Sequence, residues 1–141
     1  MTIPASVERQ FPSALNSRLV ALRRAIHQHP ELAFHESETA NRLIAALREL
    51  GVDDVHQIAS TGVVARVRGR NRSAPVVALR GDIDALPIEE ATGLPFSSQV
   101  PGVMHACGHD VHATWAVAAA ALLTQSPAAG DVLIILQPAE E

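Results

Sequence analysis

The sequence predicts an α/β fold, a mixed, mainly parallel sheet flanked by helices. Three observations carry this expectation. Two stretches with apolar residues at helical spacing come first, followed by a series of short strand-like segments. Residues 76–84 and 131–137 begin or continue as unbroken apolar runs, the pattern of strands buried on both faces. Between them, residues 111–124 read as an apolar helix, completing a βαβ unit that should cross over right-handedly with its strands parallel.

Taken in order, the chain opens with a short polar lead containing Pro4 and Pro12. Ser13 then suits the N-cap of a helix with Leu15, Leu19, Leu22 and Ile26 on one face, Arg18, Arg23 and Arg24 on the remaining surface, and Pro30 as its stop. The connection HQHPELAFHE holds three histidines, but Pro30, Leu32 and Phe34 give it the character of a structured loop. His27 and His29 are open to metal binding there, with capping and loop hydrogen bonds as the structural reading. A second helix over 37–50 presents Ala40, Leu43, Ile44, Leu47 and Leu50, and Gly51 ends it. Both helices should lie in one layer over the sheet. Residues 55–59 and 61–69 read as an edge hairpin, with Val63, Ala65 and Val67 alternating with Val64, Arg66 and Arg68. After a turn at Asn71, Arg72 and Ser73 comes the strand ending in Asp82 and Asp84, expected to be central. A long loop over 85–103, punctuated by Pro87, Gly93, Pro95, Pro101 and Gly102, leads into the apolar helix, and Pro127 and Gly130 break that helix before the last strand.

With 141 residues and 48% hydrophobic content, the chain suits one domain with an ample core. Eleven basic and fifteen acidic residues give a net charge of -4, with no basic tract to recruit nucleic acid. One cysteine allows no internal disulfide, which points to a reducing compartment. The first twenty residues lack the pattern of a secretory signal, and the longest apolar run, nine residues over 115–123, is too short to span a bilayer. The expectation is a soluble, cytoplasmic chain without a membrane partner.

The chemistry concentrates in MHACGHDVH, residues 104–112, where His105, Cys107, His109, Asp110 and His112 surround a flexible Gly108. Taken singly, Cys107 reads as a small buried hydrophobe and the histidines as surface residues. Together they form a ligand cluster suited to zinc or another first-row transition metal. Cys107 and His109 would point the same way on extended backbone, and a following helix N-terminus would favour the thiolate. Parallel strands would gather Asp82 and Asp84, this cluster, and Glu140 and Glu141 at one sheet edge, where open α/β sheets bind ligands. Pro138 gives the extended conformation a reason to end, so that both glutamates can reach one site. One carboxylate could then hold a metal while the other handles protons, as metal-assisted hydrolysis requires; two solvated acids are the bland reading.

The segments HQHPELAFHE, RGDIDALP, MHACGHDVH and LQPAEE, in this order and spacing, resemble the cysteine-containing amidohydrolases of the M20 metallopeptidase clan. These include hippurate hydrolases, N-acetyl-amino-acid deacetylases and plant hydrolases of auxin–amino-acid conjugates. The resemblance runs from about Arg23 to Glu141. It implies that Cys107, His109 and Glu141 bind metal, that Glu140 is the general base, and that Asp84 orients the site. Asp82 stands where other branches of the clan place a metal-binding histidine, and its role stays open, as do those of His105 and His112. The resemblance further implies two divalent ions, manganese, zinc, cobalt or nickel, and a small N-acyl amino acid as substrate. Family members continue past this motif through further histidine ligands and a smaller domain through which they often form homodimers. The expectation is therefore the N-terminal part of a catalytic domain, over 1–141, binding metal weakly and hydrolysing little alone. Two rivals are a cysteine nucleophile at Cys107, and a metal-binding or interaction module without turnover.

Overall fold

The computed structural model describes residues 9–141. The polar lead around Pro4, and with it the first eight of the twenty residues read for a secretory signal, lies outside the described residues. Three helices and four strands follow: α1 (Ser13–Gln28), α2 (Ser37–Glu49), β1 (Val55–Ile58), β2 (Gly62–Val67), β3 (Val77–Asp82), α3 (His109–Gln125) and β4 (Val132–Gln137). No helix among the described residues is long and apolar enough to cross a membrane.

The sheet has the order β1-β2-β4-β3. Only β3 and β4 run parallel, while β1 pairs with β2 and β2 with β4 in antiparallel register. The α/β class and the mixed sheet are as the sequence predicts. The parallel share is smaller than expected, because a parallel neighbour needs a crossover helix and α3 supplies just one. The hairpin of β1 and β2 forms, but only β1 lies at the edge. The expected central strand, β3, is the other edge. Val76, Val77 and Leu79 are 54%, 55% and 37% exposed there. The fully sheltered strand is β4, held between β2 and β3, so the exposed apolar strand surface sits on β3. On α3, Trp115 is 66% exposed.

One face of the sheet builds the core. Val63, Ala65 and Val67 of β2 stand opposite Leu136, Ile134 and Val132 of β4, and all six are buried. Leu43 and Leu47 of α2 and Ala113, Val117, Ala120 and Ala121 of α3 join them in one cluster. Such burial stabilises by roughly 25 cal/mol per Å² of apolar surface, and it selects the helix faces that meet the sheet. The two N-terminal helices do not share a layer on the sheet. α2 packs on β1 and β2, whereas α1 packs on α3. The small alanine face of α3 lets it lie close to the strands beneath and still accept α1 above.

Helix ends also differ from expectation. Ser13 is the first helical residue rather than the N-cap; Pro12, with ψ 147°, occupies that place and offers no side-chain cap. Gly51, at φ +86°, ends the second helix as expected. α3 begins at His109, two residues earlier than its apolar pattern, with Gly108 at φ +85° as its N-cap. The long loop is ordered by the chain around it. Leu86 pairs with Met104, Gln99 N–H donates to the Gln28 carbonyl at 2.8 Å, and Gly102 N–H donates to Glu89 at 2.7 Å.

Candidate metal centre

The C-terminal ends of β3 and β4 bring Asp82, Asp84, Glu140 and Glu141 to the sheet edge that the N-terminus of α3 also reaches. The parallel register matches Asp82 with Gln137, and Ile83 N–H donates to the Gln137 carbonyl at 3.0 Å, so pairing persists just past the strands. Gly81 permits the approach of α3. A methyl group there would lie 2.6 Å from the His112 carbonyl oxygen.

Asp84 is 1% exposed and satisfies three partners. Its Oδ2 accepts from the N–H groups of Glu140 and Glu141, both at 2.9 Å. Its Oδ1 and its carbonyl oxygen lie 3.1 and 3.0 Å from His109 Nδ1. Both of those atoms accept only, so the proton resides on Nδ1 and the lone pair of Nε2 is left facing outward. Nε2 lies 3.7 Å from Glu140 and 3.8 Å from Glu141. One donor atom each from Cys107, His109 and Glu141 lies within 4.8 Å of the others. A second set with the same spacing shares His109 and adds Asp82 and His112. In it, His112 Nδ1 lies 3.7 Å from Asp82, whose other oxygen is 2.5 Å from the Arg80 guanidinium.

Two expectations about Cys107 need correction. Cys107 and His109 do not converge by sharing an extended strand, because the left-handed Gly108 and the first turn of α3 separate them. Nor does the helix dipole lower the thiol. A hydrogen bond with Glu141, slight desolvation of this exposed thiol, and the charges of Glu141, Glu140 and Asp82 raise its pKa. Neighbouring carboxylates outweigh the fractional positive charge of a helix end.

The remaining histidines divide between structure and solvent. His27 is buried, with Nδ1 2.8 Å from Asp110 and Nε2 3.3 Å from Glu90, and its ring meets Phe96 edge-on. This is the structural role rather than the metal one. Arg23 Nε adds a contact to Asp110 at 2.7 Å. Burial pushes the Glu90 carboxyl up, but hydrogen bonds from Ser98, Thr92 and His27 hold it below its ordinary value. His29 is exposed and caps the end of α1. His105 is 4% exposed, and burial pushes its pKa down to about 4 against the attraction of Asp110, so it is neutral at pH 7.

Sequence reasoning missed Glu36, a fully buried carboxylate that accepts from Ala139 N–H at 2.8 Å. It also missed the Arg23–His27–Asp110–Glu90 network. Asp110 was visible in the histidine-rich motif, but nothing local ties it to residues of α1.

Residues 78–141 match the peptidase family M20/M25/M40. The chain is 49% identical over 132 residues to N-acetylcysteine deacetylase of Bacillus subtilis (strain 168), covering 91% of this chain and 34% of that protein. It is 45% identical over 125 residues to IAA-amino acid hydrolase ILR1-like 5 of Arabidopsis thaliana, covering 87% of this chain and 28% of that protein. Among solved structures, the Bacillus subtilis YXEP protein, described as a dinuclear metal binding peptidase from the M20 family, superposes with a TM-score of 0.85 at 46% identity. The match covers 90% of this chain and 36% of that one. The chain thus spans about a third of the length of these curated relatives.

Proposed function

We propose that the chain belongs to peptidase family M20/M25/M40 and forms the N-terminal part of the catalytic domain of an amidohydrolase that cuts the amide bond of N-acyl amino acids. The names of the N-acetylcysteine deacetylase and of the IAA-amino acid hydrolase support the substrate class. Its span of about a third of the relatives supports a site completed by residues outside these 141.

The observation that carries the reading is the convergence of Cys107, His109 and Glu141, with the Nε2 lone pair of His109 turned toward it by Asp84. Thiolate, imidazole and carboxylate together fit a divalent transition metal, whether manganese, zinc, cobalt or nickel. When bound, divalent ions supply Lewis-acid polarisation of the scissile carbonyl and make water acidic near neutral pH. Cys107, His109 and Glu141 hold one ion, and a second needs further ligands from the rest of the protein. Glu140 acts as the general base, taking a proton from the attacking water and returning it to the leaving amine. Asp84 keeps His109 in the correct tautomer and fixes the backbone of both glutamates, the task of a carboxylate behind a ligand histidine.

Elemental analysis of the purified chain tests this, alongside Cys107→Ala and His109→Ala and an N-acyl-amino-acid hydrolysis assay on the same samples. The expected result is metal in the parent, loss in both variants, and little or no hydrolysis by the parent alone. A parent without metal overturns the site, and hydrolysis insensitive to chelators but lost on alkylation would move the chemistry to a Cys107 nucleophile. A second reading, a metal-binding module without turnover, is favoured by the same three-ligand set, since three side chains saturate no more than one ion. Activity appearing when the chain is joined to the remaining two thirds of a relative decides against that module.

A further inference from the structure

Three consecutive peptide N–H groups follow Pro138, and each is taken by a buried carboxylate. Asp84 accepts from Glu140 and Glu141, and Glu36 accepts from Ala139 at 2.8 Å. Ala139 lies at φ 51°, in the left-handed region that a residue with a Cβ occupies only when its surroundings hold it there. That turn matters to the candidate metal centre. On a continued strand, Glu140 and Glu141 would point to opposite faces of the sheet. With the chain turned at Ala139, both carboxylates lie within 3.8 Å of His109 Nε2.

Glu36 is 0% exposed, and its other oxygen accepts from the Thr61 hydroxyl at 2.6 Å. It occupies the N-cap of α2, where an acidic side chain ordinarily caps its own helix, yet it makes no such bond. Glu31 does that work, accepting from Glu38 N–H at 3.2 Å and Thr39 N–H at 2.7 Å. The carboxylate of Glu36 is thereby released toward β4, 103 residues away in sequence. Burying a charge is costly, and two short hydrogen bonds from Thr61 and Ala139 are what compensate it.

We propose that Glu36 is a positioning residue for Glu140 and Glu141, holding Ala139 in the left-handed turn that sets both carboxylates on the metal side. The inference rests on the functional reading above for what the two glutamates do, but the clamp itself is a property of the metal-free chain. Glu36→Ala removes both acceptors. Glu36→Asp keeps the charge but is one methylene too short to reach Thr61 and Ala139 together. Glu36→Gln retains an acceptor for Ala139, while its amide can donate to Thr61.

The test measures backbone amide exchange at 139–141 in the metal-free chain, and cobalt affinity by competition with a chelator. Leu47→Ala serves as a control that weakens the core of the same helix. The expected result is selective loss of protection at Ala139, Glu140 and Glu141 in Glu36→Ala and Glu36→Asp, with cobalt bound roughly 10–100-fold more weakly. Glu36→Gln should stay near the parent in both readouts, and Leu47→Ala should loosen the whole fold without singling out those amides. Parental protection and affinity in Glu36→Asp overturn the inference, and that variant decides alone if Glu36→Ala does not fold. A parent that binds no cobalt defeats the functional reading instead, and the exchange pattern then judges Glu36 by itself.

Discussion

Replacing Gly81 by alanine pushes a methyl group into the seam between β3 and α3. The new carbon would lie 2.6 Å from the His112 carbonyl oxygen, 2.8 Å from its carbon and 3.1 Å from the Ala113 nitrogen. All three are backbone atoms of the helix, so no side chain can swing aside to make room. Ordinary contact needs roughly 3.5 Å or more, so the start of α3 must move away from β3 by nearly 1 Å. Gly81 does not use positive φ, so alanine is conformationally acceptable and gains about 0.4–1 kcal/mol by restricting the unfolded chain. Because backbone cannot swing aside, the cost lies at the upper end of the range for overpacking, about 1–3 kcal/mol, which leaves a net loss of about 2 kcal/mol. The shift also carries His109 away from Cys107 and Glu141. Urea unfolding followed by circular dichroism should therefore show a lower midpoint at unchanged slope, and chelator competition should show weaker metal binding. A midpoint at or above that of the parent refutes the reasoning, because the seam would then have room that the backbone contacts deny.

Asp84→Asn keeps the size of the side chain but sets an NH2 group against either His109 Nδ1–H or the Glu140 and Glu141 N–H groups. Metal affinity should fall roughly 10–100-fold by the same titration, and an unchanged value would show that the Asp84 carbonyl orients His109 unaided. Asp131 accepts from Gly69 N–H at 2.8 Å and Arg66 Nε at 2.7 Å, and these hold its carboxyl below the ordinary range against the effect of burial. A depressed carboxylate stabilises the fold above its unfolded pKa of about 3.9, and the contribution fades as pH falls through the lower folded value. The parent should therefore exceed Asp131→Asn in urea midpoint at pH 7 and converge with it on strong acidification; curves that stay parallel count against the assignment.

Much of the architecture was legible along the chain because it follows from short-range rules. The helical spacing of Leu43 and Leu47, the stop at Gly51, the alternation of Val63, Ala65 and Val67, and the apolar run of β4 each report on neighbours a few residues away. The parallel pairing of β3 with β4 followed from a helix-length connection, and that pairing places the C-terminal ends of both strands together. The position of β3 in the sheet was misread. An apolar strand looks the same in sequence whether its neighbours belong to the described chain or not, and here β3 has a strand on one side only. The first turn of α3 was misread for a related reason, since His109 and Asp110 are polar residues that are buried nonetheless.

By itself, the sequence determined the α/β class, the order of elements, and the edge at which Cys107, His109, Asp84, Glu140 and Glu141 meet. Residue type, periodicity and connection length are local properties, and each of these conclusions needs nothing more. Only the tertiary structure decided which nitrogen of His109 faces outward, that Glu36 reaches Ala139, and that His27 is spent on Asp110 and Glu90. Those outcomes join residues 25 to 103 positions apart. Whether two such side chains touch depends on how helices and strands pack, and no rule of local spacing contains that information.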